Sequence, residues 1–232
     1  MASRLHVCGR MSRLLALFVL TVAGVVTAPA PPAAQPECII LDDFSKATVG
    51  QFPSGWKPRK DEGTAIYKVQ EENGLRFLRA VSRGDGIQAA REIDAWDLAA
   101  YPVLAWSWRP REFSRGADEQ AGRNDSALAV YMLVSHSQVR GPKAVKYIWS
   151  ERVPAGAELA SNGDLTQVRV LRSGTAGLNT WTDERVNVLA DYRKRFGDAG
   201  TPRPAGIAVL TDSDDTKSSA SGDYAKFRAC RG

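Results

Sequence analysis

Cys38 and Cys230 stand at opposite ends of a series of short apolar runs, with nearly the whole candidate core between them. They can be bonded only if the first and last strands of the fold lie side by side. Pairing also needs an oxidising compartment, and the N-terminus carries the signal for one. Arg4, Arg10 and Arg13 precede an uncharged apolar run from Leu14 to Val26, followed by TAPAPPAAQP. A basic stretch, a short apolar stretch and small residues describe a secretory signal peptide. The run is shorter than the roughly 20 apolar residues of a membrane span. Residues 1–34 therefore read as signal peptide and Pro/Ala linker, the signal itself at about residues 11–34. The expectation is export to the periplasm or beyond, with residues 38–230 as a single β-sandwich domain and no membrane span in the mature chain. Cys8 leaves with the leader, so Cys38 and Cys230 form the expected disulfide. Closing so long a loop contributes about 3–5 kcal/mol on the chain-entropy account.

Removing the leader also corrects the charge. Of 31 Lys and Arg, 28 remain against 26 Asp and Glu, so the mature chain is near +2. That balance, with no basic block, excludes the clustered cationic face of a nucleic-acid binder. His136 is the one histidine beyond the leader, and no Cys/His cluster exists, so zinc sites and His-dependent triads are unsupported.

Between the cysteines, runs rich in Val, Ile, Tyr and Trp alternate with Gly, Pro, Asn and Asp. Strands are expected at ECIILDDF, TAIYKVQ, LRFLRAVS, GIQAAREI, VLAWSW, ALAVYMLVS, AVKYIWS, QVRVLRS, GIAVLT and DYAKFRAC. So many short strands predict an all-β chain folded as a two-sheet, jelly-roll-like β-sandwich. ALAVYMLVS is apolar on both faces, so it must be covered twice. In the last strand Ala225, Phe227 and Ala229 are expected inside, with Tyr224, Lys226, Arg228 and Cys230 on the other face. One packed α-helix is expected at about residues 183–196, capped by Thr182, with acids in its first turn, bases in its last and Gly197 ending it.

Three groups of residues can carry chemistry. Trp106 and Trp108 alternate onto one strand face, and Tyr147, Trp149 and Glu151 onto another. Indole faces can stack on sugar rings while Arg109, Asp125, Glu151 and Asp212 supply polar contacts, although for each tryptophan singly the favoured reading is packing in the core, under the helix or between the sheets. REIDAWD, from Arg91 to Asp97, loosely echoes the paired carboxylates of retaining glycosidases, with Asp97 one methylene short. TDSDDT places Asp212, Asp214 and Asp215 close together, as calcium ligands or as a plain Asx-turn. No cofactor is expected; Asp212, Asp214 and Asp215 could hold calcium, but the plain turn is the favoured reading. The leading expectation is a non-catalytic module binding a saccharide or other envelope component. The alternatives are a polysaccharide hydrolase or lyase, and a periplasmic structural or interaction protein.

W-x-W-R-P at Trp106 to Pro110, NDSALAVY, YIWS, VLRSG, D-Y-x-x-x-F-G at Asp191 to Gly197 and TDSDDT together resemble an uncharacterised bacterial family, domain of unknown function 3047. The resemblance covers roughly residues 38–230. It implies export and a fold similar to jelly-roll carbohydrate-binding sandwiches, and implies no particular activity. In one place the chain departs from the family pattern: Tyr224 is followed by Ala225 and Lys226 instead of an acidic pair. That departure counts against a metal site completed by the last strand.

Overall fold

The computed structural model describes Ala2 and residues 37–232; the expected signal peptide and linker otherwise lie outside the described residues. In chain order the strands are β1 (Cys38–Asp42), β2 (Trp56–Pro58), β3 (Tyr67–Glu72), β4 (Leu75–Arg83), β5 (Ala89–Glu92), β6 (Val103–Glu112) and β7 (Leu128–Ser137). They continue as β8 (Gly141–Ser150), β9 (Glu158–Ser161), β10 (Thr166–Ser173), β11 (Thr182–Asn187), β12 (Pro204–Leu210) and β13 (Ser219–Cys230). A single helical turn, α1 (Gly63–Ile66), precedes β3, and α2 (Val188–Phe196) follows β11. The strands form the expected two-sheet, jelly-roll-like sandwich. One sheet has the order β11-β6-β13-β4-β3, with β1 also on β13; the other runs β2-β5-β12-β7-β8-β10-β9. All pairs are antiparallel except β8 with β10.

Cys38 and Cys230 are direct partners in the β1–β13 register, and the bond between them spans 192 residues of chain. Both cysteines pack with Val103 and Ala105 on the outer face of the first sheet, while Leu41 and Ala229 point into the core. The last strand departs from simple alternation. Lys226 takes a left-handed backbone (φ 57°), and the β13–β6 register slips between Ala225 and Arg228. This bulge turns both Tyr224 and Phe227 inward, so Tyr224 belongs to the core and not to the outer face expected for it.

Aromatic rings fill the space between the sheets. Trp106 and Trp108 of β6 meet edge to face at 5.2 Å, and each reaches across to β8: Trp106 to Tyr147 at 5.6 Å, Trp108 to Trp149 at 5.9 Å. A second cluster, Phe44, Trp56 and Phe227, closes the other end of the core. Gly177 lies against the Trp149 ring so closely that a Cβ there would sit 2.3 Å from it. The Trp149 indole N–H donates to the Gly174 carbonyl at 2.9 Å, so this loop seals the ring from solvent.

The helix begins later than its sequence suggests. Thr182 to Asn187 adds a strand to the open edge of β6, with Thr182 opposite Trp108, Glu184 opposite Trp106 and Val186 opposite Leu104. Glu184 accepts from the Trp108 indole and from Arg172, which makes a charged residue acceptable on the inner side. The sheet edge thus overrides local helix propensity. The N-cap is Asn187, not Thr182; its side chain accepts from the Ala190 amide at 2.9 Å. From there the expectation holds: Arg193, Lys194 and Arg195 lie in the last turn, and Gly197 ends the helix with a left-handed backbone.

Replacing Cys38 and Cys230 together by serine is expected to cost about 3–5 kcal/mol. Urea denaturation without reductant should show the loss, and reductant should impose a similar loss on the wild type while leaving the double variant unchanged.

Candidate ligand-binding cleft

The inner face of each sheet is committed to the core, so a ligand must use an outer face, an edge or a loop. On the second sheet the outer face is also partly apolar. Ala129, Tyr131, Ala144, Ile148, Val168, Val170 and Ala208 form a cluster there, covered in part by Val153. This is the second covering that the two-sided strand β7 requires. Where the cover stops, a cleft of about 570 Å³ opens over β7, β8, β10 and β12.

Strand register builds its floor. Ala208 of β12 lies opposite Tyr131 of β7, Tyr131 opposite Lys146 of β8, and Lys146 beside Val168 of β10. Tyr131 is 6% exposed and Lys146 7%, with the ammonium 5.5 Å from the tyrosine ring centre. No ion pair engages Lys146 among the described residues. Burial opposes its charge, but Tyr131 and Asp212 outweigh that and hold its pKa above the ordinary lysine value. Leu133 and Leu210 give the walls apolar surface, while Gln88, Asn124, Asn162 and Thr166 add hydrogen-bonding groups. Arg59 and Arg140 stand at the margins. Comparable depressions beside β1 and beside β6 have polar groups already engaged, as in the Arg91–Asp42 ion pair at 3.1 Å and the Ser219–Glu112 hydrogen bond.

The acidic TDSDDT segment forms one end of the cleft and is first of all a turn. It connects β12 in one sheet to β13 in the other. Asp125 Oδ1 accepts from the Asp215 amide at 3.0 Å, and Oδ2 from the Thr216 amide at 2.7 Å. Ser213 is tied to Ser82 and to the Gly84 amide, and the Asp212 amide donates to the Ser126 carbonyl. Asp125, Asp212 and Asp214 each bring an oxygen within 4.8 Å of the others. Asp215, read from sequence as the third member, instead accepts from the Asn124 amide at 2.8 Å, because the turn swings it away. Three carboxylates at this spacing can share a proton or be bridged by a hard cation. Gly86 lets them approach: a Cβ there would lie 2.6 Å from Asp212 Oδ1 and 2.8 Å from Asp214 Oδ1. Burial, then the hydrogen bond with Asp214, pushes the Asp212 pKa up to about 8.

Of the residues singled out from sequence, Asp212 alone lines the cleft. Trp106, Trp108 and Trp149 are core residues, at most 4% exposed, and cannot present a ring to a ligand. They are inside because their strand positions face the opposite sheet. Arg109 is on the outer face of the other sheet, bonded to Asp223 at 2.8 Å and Glu72 at 2.7 Å and stacked over Trp181. Glu151 follows β8 and lies outside the cleft. In REIDAWD, Glu92 pairs with Lys57 on the surface at 3.0 Å, and Asp97 accepts from the Ala99 and Ala100 amides. These carboxylates are already engaged in separate local roles. Tyr131 and Lys146 were missed because each reads as an ordinary member of its strand; their pairing depends on the β7–β8 register.

Residues 54–228 match the family model described as "Protein of unknown function (DUF3047)". The chain belongs to this family. No curated protein matches the DUF3047 chain in sequence. Among solved structures it is similar to the family 11 carbohydrate-binding module of a cellulosomal cellulase of Clostridium thermocellum, at 10% identity and TM-score 0.44, covering 86% of this chain and 97% of that one. It is also similar to SGBP-B from a complex xyloglucan utilization locus in Bacteroides uniformis, at 9% identity and TM-score 0.38, covering 83% of this chain and 49% of that one. An agarase is similar at 9% identity and TM-score 0.39, with 85% of this chain and 25% of that chain covered. The chain thus spans nearly all of the first, about half of the second and about a quarter of the third.

The raised pKa of Asp212 sets a direction for stability. A carboxyl that holds its proton more tightly when folded stabilises the fold fully below the unfolded value of 3.8, and that contribution is lost as pH rises through about 8. Asp212→Asn, which imitates the protonated acid, should therefore gain on the wild type as pH rises across that window. Thermal melts in EDTA should show a difference in midpoint that widens towards pH 8 and then levels off.

Proposed function

We propose that this protein is an exported, non-catalytic saccharide-binding module and that the outer-face cleft of the second sheet is its binding site. The observation that carries the reading is the cleft floor. Two polar side chains, Tyr131 and Lys146, are buried at the bottom of an open depression in an otherwise apolar sheet face. Tyr131 is hydrogen-bonded to Lys146 and Gln88, and an ammonium with three donors keeps capacity to hydrogen-bond a ligand that enters the depression. The lining suits a sugar ring, which has apolar C–H faces and a girdle of hydroxyls. Tyr131, Leu133 and Leu210 offer apolar contact, while Gln88, Asn124 and Asn162 offer donors and acceptors.

The Cys38–Cys230 bond suits an oxidising compartment and so fits export. Among the described residues no helix is long and apolar enough to cross a membrane. The site lies on strands of a closed sandwich and needs no large rearrangement to bind.

A glycan array followed by isothermal titration calorimetry tests this. The wild type is expected to bind a saccharide, Tyr131→Ala to weaken binding by about tenfold or more, and Asn162→Ala to weaken it less. Trp149→Ala should lower stability while the folded fraction keeps its affinity. No saccharide bound on the array, or both cleft variants binding like the wild type, would remove the reading.

A further inference from the structure

The side chains lining the cleft are unequal in charge. Arg59, Arg140 and Lys146 face a single lining carboxylate, Asp212, so cations exceed anions by two even when Asp212 is counted as ionised. This excess is local, because the chain beyond its leader is nearly balanced. None of the three cations is neutralised by an ion pair among the described residues. Several arginines elsewhere are held in ion pairs: Arg79 and Arg109 hold Asp223, Arg172 holds Glu184, and Arg195 holds Glu158.

The three cations are also spread along the cleft. The Arg59 amide donates to the Gln88 carbonyl, just beyond the Ala89–Val209 end of the β5–β12 pair. Arg140 belongs to the hairpin joining β7 to β8, at the opposite end of these strands. Lys146 lies between them, at the floor, beside Tyr131. A point anion would meet one of these groups. A linear ligand bearing a negative charge on successive units would meet all three, with its rings over the apolar walls. Guanidinium groups match carboxylates in a planar, two-pronged geometry, and an ammonium serves as a point charge at the floor.

We propose that the ligand is an acidic saccharide, a run of uronate units whose carboxylates are received by Arg59, Lys146 and Arg140. The proposal rests on the saccharide reading above and narrows it to one class.

Titration calorimetry on the full chain should compare an oligogalacturonate with a cello-oligosaccharide of equal length and a sulfated oligosaccharide. The oligogalacturonate is expected to bind at least about tenfold more tightly than the neutral sugar, with the gap closing as salt is raised. Arg140→Gln, at an exposed position, and Lys146→Met, which keeps the length of the buried chain, should each weaken binding of the uronate oligomer several-fold, and uronate affinity unchanged in both variants would overturn the proposal. Equal affinity for the neutral sugar would overturn the proposal while the saccharide reading stands. A sulfated sugar binding more tightly than the uronate would overturn the carboxylate assignment. If no sugar of any of the three kinds binds, the saccharide reading itself fails with it.

Discussion

Everything in this molecule depends on the burial of aromatic rings between two sheets. Trp106 and Trp108 project from one sheet onto Tyr147 and Trp149 of the other, and Phe44, Trp56 and Phe227 close the far end. Each such ring removes a large apolar area from water. One donor is left over, because the Trp106 indole N–H is buried without an oxygen or nitrogen acceptor. A cost on the order of 1–3 kcal/mol for that group is small beside the packing that holds it. With the inner faces filled in this way, recognition is confined to surfaces the core does not use.

Much of the architecture was legible in the sequence because its signals were local or fixed by covalent logic. The two cysteines placed β1 beside β13, and the expected strand runs correspond to strands in the sandwich. The failures share one physical origin, which is that a strand edge or a bulge is decided by neighbours distant in sequence. TDERVN carries helix-favouring Glu and Arg, yet β6 presents an unfilled edge, and six residues extend the sheet before Asn187 can start the helix. Lys226 gives no outward sign of a left-handed backbone, so simple alternation puts Tyr224 on the wrong face. The short strands β2 and β9 have too few residues to announce themselves.

The candidate site was legible only where it coincides with a turn. Asp212 was singled out because its neighbours are acidic; Asp125 was singled out too, but its two oxygens are spent on the turn at Asp215 and Thr216. Tyr131 and Lys146 become a pair only once β7 and β8 are aligned, and the cleft over them exists only because the covering near Val153 stops short. Tryptophans spaced for one strand face were legible as a set, but which face they occupied depended on the opposite sheet. Alternation along a strand divides residues into two groups; it does not say which group meets water.

The row across the second sheet has a further consequence. Lys57, Ala90, Ala208, Tyr131, Lys146 and Val168 come one each from six different strands, and they stand on the face turned away from the aromatic interior. Their neighbours in the chain point the other way, so a change at the open positions of this row, Lys57 and the cleft floor, leaves the aromatic interior in place. Related sequences can therefore diversify what this surface meets, one strand at a time, while the scaffold beneath is inherited unaltered.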